Sequence, residues 1–193
     1  MLGYWRPHAE YQKFLINSIL PVYLADKSRV EYYAKALSKL YILDLDVLKP
    51  VLEPYYSYTG KPAKNQPEIF RSFVLMSELG EHSITKWVEK LKADSLLCAM
   101  IGVSSSDVPD VGNHYDFLNR LWLENPQVSK AKKDQNDRCR IKWRCPQKAR
   151  ARGKKRLNFW TTIHSINIHL DARLKMSNFN FVSILEDLVQ RAA

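Results

Sequence analysis

Asn65-Gln66-Pro67-Glu68-Ile69-Phe70-Arg71-Ser72-Phe73-Val74-Leu75-Met76-Ser77-Glu78-Leu79-Gly80, continued by Glu81-His82-Ser83-Ile84-Thr85-Lys86-Trp87-Val88-Glu89-Lys90-Leu91, is the stretch that decides the fold class. Asn65, Pro67 and Glu68 supply an N-cap, a first-turn proline and a capping-box acid. Ile69, Phe70, Phe73, Val74 and Met76 then recur at helical spacing and make one apolar face. Gly80 stands where a helix ends at C′, because glycine takes the left-handed backbone without a Cβ penalty. Ser83 caps a second helix with Ile84, Trp87, Val88 and Leu91 inward. The pair has helix-turn-helix spacing, in which the second helix presents its polar face to the major groove of DNA. Here that face is Thr85, Lys86, Glu89 and Lys90. An ordinary αα-hairpin with a solvated outer face is the competing reading, and in general the commoner one.

Helical signals continue on both sides. Downstream, Asp94 caps a short helix over Leu96 to Ile101 that Gly102 ends, and a polar loop runs from Ser104 to Asp110. A further helix carries Tyr115, Phe117, Leu118, Leu121 and Trp122, with Pro126 just beyond it. Upstream, Tyr11, Phe14, Leu15, Ile19 and Leu20 repeat with helical spacing until Pro21 interrupts. Ser28 and Glu31 form a capping box for a helix to about Tyr41 that buries Val30, Tyr33, Leu37 and Leu40. Asp44 or Asp46 caps a short helix bounded by Pro50 and Pro54, and residues 55–60 read as a loop. Only six glycines occur in 193 residues, which agrees with an α-rich fold.

Charge is unevenly placed. The formal net charge is +10, yet Lys130 to Arg156 holds 13 Lys and Arg against Asp134 and Asp137, a local net of +11. The remaining 17 bases and 18 acids nearly cancel. A near-neutral globular region therefore carries one concentrated basic segment, which attracts polyanions, nucleic acid above all. Lys130, Lys132, Lys133, Arg138, Arg140, Lys142, Arg144, Lys148, Arg150, Arg152, Lys154, Lys155 and Arg156 are the candidate phosphate contacts, and Trp143 among them is a candidate stacking residue. Such an arm gives affinity and little sequence choice. A solvated linker that touches nothing is the bland alternative.

Other chemistries find little footing. Cys139 and Cys145 lack a second pair or a histidine at zinc-finger spacing, and Cys98 sits in an apolar run. Three cysteines with no signal peptide argue for reduced thiols in a cytoplasm. No apolar run approaches the roughly 20 residues of a membrane span. Histidines 8, 82, 114, 164 and 169 are scattered, and Asp171 reads as a turn or cap residue rather than a catalytic acid. Ser104 to Ser106 lack a nucleophile-elbow context, and no phosphate-binding glycine loop occurs. Neither a metal nor another cofactor nor a small-molecule substrate is expected.

The segment from Gly60 to Trp122 resembles the N-terminal domain of bacterial insertion-sequence transposases of the DDE type. The resemblance rests on an ordered set of pieces. They are Gly60-Lys61-Pro62, the helix from Pro67 to Met76, the segment from Ser83 to Leu91, Leu96 to Gly102, Val108-Pro109-Asp110-Val111-Gly112, and Tyr115 to Leu121. Where many members carry a Ser or Thr pair, this chain has Asn113 and His114. The resemblance implies DNA binding at the ends of a mobile element, through Thr85, Lys86, Lys90, Asn113, His114, Arg120 and the basic segment. In the family a metal-dependent, RNase-H-like catalytic domain follows. The chain ends at Ala193, too early to hold its carboxylates, so the expectation is a non-enzymatic front part. Divalent metal belongs only to that absent domain.

The sequence thus leads to a mostly α fold: a helical bundle with a helix-turn-helix-like pair over 1–125, a basic arm over 126–157, and a short C-terminal tail over 158–193. Within the tail, Asn158 to Leu170 reads as a strand or a poor helix, and Phe181 to Arg191 as an amphipathic helix. Without a catalytic domain to cover them, Ile163, Ile166, Ile168, Phe179 and Phe181 are expected to lie exposed. Expected partners are DNA and a second copy or a full-length transposase, in the cytoplasm with the nucleoid. A protein-interaction module that dimerises, with the arm as a nonspecific tether, is the second reading.

Overall fold

The computed structural model describes residues 1–56, 60–121 and 146–192, with backbone course only for 146–158 and 192. The described residues are mostly helical and form an all-α bundle. Its α-helices are α1 (His8–Ala25), α2 (Lys27–Tyr32), α3 (Ala34–Ile42), α4 (Lys49–Leu52), α5 (Gln66–Glu78), α6 (Ile84–Ala93), α7 (Ser95–Ile101), α8 (Val111–Leu121), α9 (Pro146–Ser177) and α10 (Phe181–Ala192). Two 3₁₀ turns, Asp46–Leu48 and Glu53–Tyr55, flank α4. The only extended pairing among the described residues is the single bridge Leu2–Ala63.

α5 is the central element: residues 66 to 76 are all buried, so it is covered on every side. A helix enclosed in this way needs neighbours all round, and α3, α7, α8 and α9 provide them. Phe73 shows how. Its ring meets Phe117 of α8, Phe159 and Trp160 of α9, and His114 of α8, at centroid distances of 4.8 to 6.2 Å. α1 closes the far side through Tyr11, whose hydroxyl donates to the Met100 carbonyl at 2.6 Å and whose ring is stacked by the buried Arg71 guanidinium at 3.6 Å.

Caps behave as their chemistry requires. Ser83 accepts from the Lys86 amide and Asp94 from the Leu96 amide, while Gly80 and Gly102 end α5 and α7 with φ of 67° and 97°. Three local expectations are corrected. Pro21 does not interrupt α1, because the stripe Tyr11, Leu15, Ile19, Tyr23 stays buried across it while Pro21 faces solvent. The cap at α2 is Asp26, which accepts from the Arg29 amide and from Ser28 Oγ. The single expected helix from Ser28 to Tyr41 is then broken at Tyr33. Asn65 begins α5 in the left-handed region with no capping bond, because its side-chain amide instead holds Asp107.

The largest correction concerns the C-terminal segment. Residues 159–192 are neither strand nor exposed tail: α9 and α10 belong to the same core as the rest. Phe159, Ile163, Leu170, Phe181, Val182 and Leu185 are buried in it, and α9 lies along α5 and α3. Polar ties reinforce the seam. Asn167 Nδ2 donates to the Val74 carbonyl at 3.1 Å, and the Phe181 amide donates to Ser38 Oγ at 2.9 Å. Lys39, 1% exposed, is held by Asp171 at 2.9 Å and Glu78 at 2.5 Å, and Lys35 pairs with the same two carboxylates. Asp171 is therefore a mid-helix ion-pair residue, neither turn nor cap. Ile168 alone of the tail's expected exposed residues is largely open to solvent.

If α9 is part of one cooperative core, Phe159→Ala should lower the unfolding free energy by about 3–5 kcal/mol in a urea melt. A change below about 0.5 kcal/mol, the size of an ordinary surface substitution, would place residues 159–192 outside that core.

Candidate nucleic-acid interface

α6 offers the outward face that the sequence suggests. Ile84, Trp87, Val88 and Leu91 are buried, leaving Thr85, Lys86, Glu89 and Lys90 exposed. Lys86 and Lys90 are four residues apart and so stand one above the other on the helix surface. Neither takes part in an ion pair among the described residues, so both ammonium groups are available to an outside anion. Lys92, two residues past Lys90, is held by Asp110 at 2.8 Å.

A chain of buried hydrogen bonds fixes the angle of this face. Trp87 Nε1 donates to Ser72 Oγ at 2.8 Å, and Ser72 Oγ meets His114 Nε2 at 3.0 Å. His114 Nδ1 lies 3.0 Å from the Asp110 carbonyl. A carbonyl can only accept, so Nδ1 carries the proton and Nε2 accepts from the Ser72 hydroxyl. Each group is then satisfied once in each required role, and α6, α5 and α8 are locked together. Burial depresses the His114 pKa below its ordinary 6.5, only partly opposed by the Asp110 carbonyl and carboxylate.

His114 is thus corrected from a surface contact to a fully buried strut. The sequence signal for the strut is Ser72, a hydroxyl set between apolar residues Ile69, Phe70, Phe73 and Val74 on the buried helix α5. Arg120 is likewise drawn inward. It is half-buried, with its guanidinium 5.0 Å from the Tyr56 ring centroid. Asn113 is exposed at the first turn of α8. Of the candidate surface residues, Thr85, Lys86, Lys90 and Asn113 are therefore solvent-facing, and His114 is not.

The basic segment joins this surface through α9. Lys130, Lys132, Lys133, Arg138, Arg140, Lys142, Arg144 and Trp143 lie outside the described residues. Lys154, Lys155 and Arg156 lie on the helical backbone of α9, their side chains outside the described residues. Far from being all linker, the expected arm from 146 onward is continuous helix with the core-packed half of α9. Trp160 meets the ring of His82 edge-on at 6.5 Å, and His82 sits in the α5–α6 turn beside the Ser83 cap. Arg156 is one helical turn ahead of Trp160. Two basic features far apart in sequence are thereby joined at the start of α6.

Among the described residues, no group of three His, Cys, Asp or Glu could hold a metal ion, and no helix is long and apolar enough to cross a membrane. Cys98 is buried, with its thiol on the Leu91 carbonyl at 2.8 Å.

The His114 strut carries a pH signature. The unfolded chain binds a proton near pH 6.5 while the folded chain resists it, so stability is complete above that value and falls as pH drops below it. His8 is depressed by burial as well and adds to the same trend. His114→Gln should flatten this pH dependence between about 6.5 and 5, read from melting temperatures at stepped pH, whereas an unchanged slope would mean that His114 binds its proton as readily in the fold as in the unfolded chain. Compared with protein-family models, curated proteins and solved structures, the chain matches none of them.

Proposed function

We propose that this chain binds duplex DNA without catalysing a reaction on it, as the front part of an insertion-sequence transposase that holds the ends of the element. The observation that supports this reading most is the His82–Trp160 junction. It brings the basic half of α9 to the turn from which α6 presents Thr85, Lys86 and Lys90. A division of labour follows from the chemistry. The segment of local net charge +11 supplies phosphate contacts and hence affinity, while α6 supplies the short polar face suited to a groove. Backbone helix from 146 to 158 gives the basic half of α9 a length of about 20 Å, at roughly 1.5 Å per residue. The transposase assignment rests on the resemblance between Gly60 and Trp122, and the cytoplasmic, nucleoid-associated location follows from it.

A protein-interaction role is the second reading, favoured by the withdrawal of His114 and Arg120 from the α6 side. Trp87 cannot serve it, being fully buried, and Trp122 lies outside the described residues.

Binding to a fluorescent duplex should weaken steeply with salt. In Lys86→Ala/Lys90→Ala the slope of log K against log salt should fall by about two, one for each lost phosphate contact. Anisotropy titrations over a salt series provide both slopes. Equal affinity at low and high salt in the wild type would remove the DNA reading, and equal slopes in the two proteins would remove α6 from the interface.

A further inference from the structure

We infer that the outer face of α9 and the neighbouring corner after α3 form a two-fold interface between two copies of this chain. Along α9, Ile168, Ala172 and Met176 are spaced by four residues and all face solvent, Ile168 being 57% and Met176 80% exposed. Four-residue spacing stacks them into one stripe. Beside the stripe runs a groove of about 670 Å³, bounded on the other side by Leu43, Asp44 and Val47. Val47 is 66% exposed. The inner face of α9 is already used, so this apolar stripe contributes nothing to the core of its own chain. Solvent-facing apolar surface of this kind marks an interaction site.

Charge selects the occupant. Asp44 stands on one rim of the groove and Arg173 on the other. Both are exposed, and neither makes an ion pair among the described residues. An isologous contact places one patch against itself, and with the two-fold axis along the groove a residue on one rim meets the opposite rim of the other copy. Two-fold apposition here sets each Asp44 against an Arg173 of the other copy, twice, around a centre of Ile168, Ala172 and Val47. A single surface thus carries both halves of its own complement. With Asp44 and the exposed Asp46 against Arg173, the groove suits a partner of mixed charge better than a uniformly anionic nucleic acid. The interface gives the dimerising alternative a definite surface and stands independently of the DNA reading.

Sedimentation equilibrium of the full chain, without DNA, tests it. The wild type should show twice the 22.5 kDa chain mass at high concentration and dissociate on dilution. Ile168→Asp should return it to the monomer mass with an unchanged circular-dichroism melt, since that side chain is outside the core. Asp44→Arg and Arg173→Asp should each weaken association by at least about tenfold through like-charge contacts, and the two together should restore it. A wild type that is monomeric throughout the concentration range overturns the proposal. So do single swaps without effect, or a double swap that fails to restore the dimer.

Discussion

A buried ammonium group cannot stay charged in a helical core unless carboxylates meet it there. Lys39 is 1% exposed and projects from α3 into the seam between α5 and α9, where Glu78 and Asp171 provide the two acids. The cost of leaving such a group unpaired is several kcal/mol, so the three helices must keep their register together. Asn167 on the Val74 carbonyl and Ser38 on the Phe181 amide fall on the same seam. Apolar packing around Phe73 drives the helices together, and these polar contacts select one arrangement. Through that seam α9 is part of the bundle, and its basic N-terminal half inherits a direction from it.

The surface that results is built from rigid parts. Trp87, Ser72 and His114 hold α6 against α5 and α8, and the His82–Trp160 contact ties α9 to the α5–α6 turn. The lysines of α6 stay exposed because its large apolar residues, Ile84, Trp87, Val88 and Leu91, all face inward. Lys86 and Lys90 are exposed on this face, and the proposed reading assigns to it the recognition of a polyanion by position and charge.

Most helices are legible in the sequence, because the bundle follows local rules. The apolar period in α5 and α6, the Ser83 and Asp94 caps and the stops at Gly80 and Gly102 all depend on residues within a turn or two. What is hidden depends on distant partners. Thr161, Thr162, Ile163, Ile166 and Ile168 are weak helix formers, so Asn158 to Leu170 is ambiguous until α5 is seen to bury Phe159, Ile163 and Leu170 in one stripe. His114 resembles a surface residue until Ser72, 42 positions away, is placed beside it. Pro21 is a breaker by local rules, yet the buried stripe on both sides of it carries α1 through. The outward lysines of α6 follow from periodicity alone, whereas the junction that brings α9 to them does not.

The most direct test of a DNA surface at the α6–α9 junction is lysine footprinting: acetylation of the intact chain with and without a duplex, each site read by mass spectrometry. DNA should strongly protect Lys86, Lys90, Lys154 and Lys155. Lys49 on α4 and Lys175 near the C-terminal end of α9, both exposed, should react as before. Protection spread evenly over all exposed lysines, or confined to Lys49 and Lys175, would contradict a DNA surface at this junction.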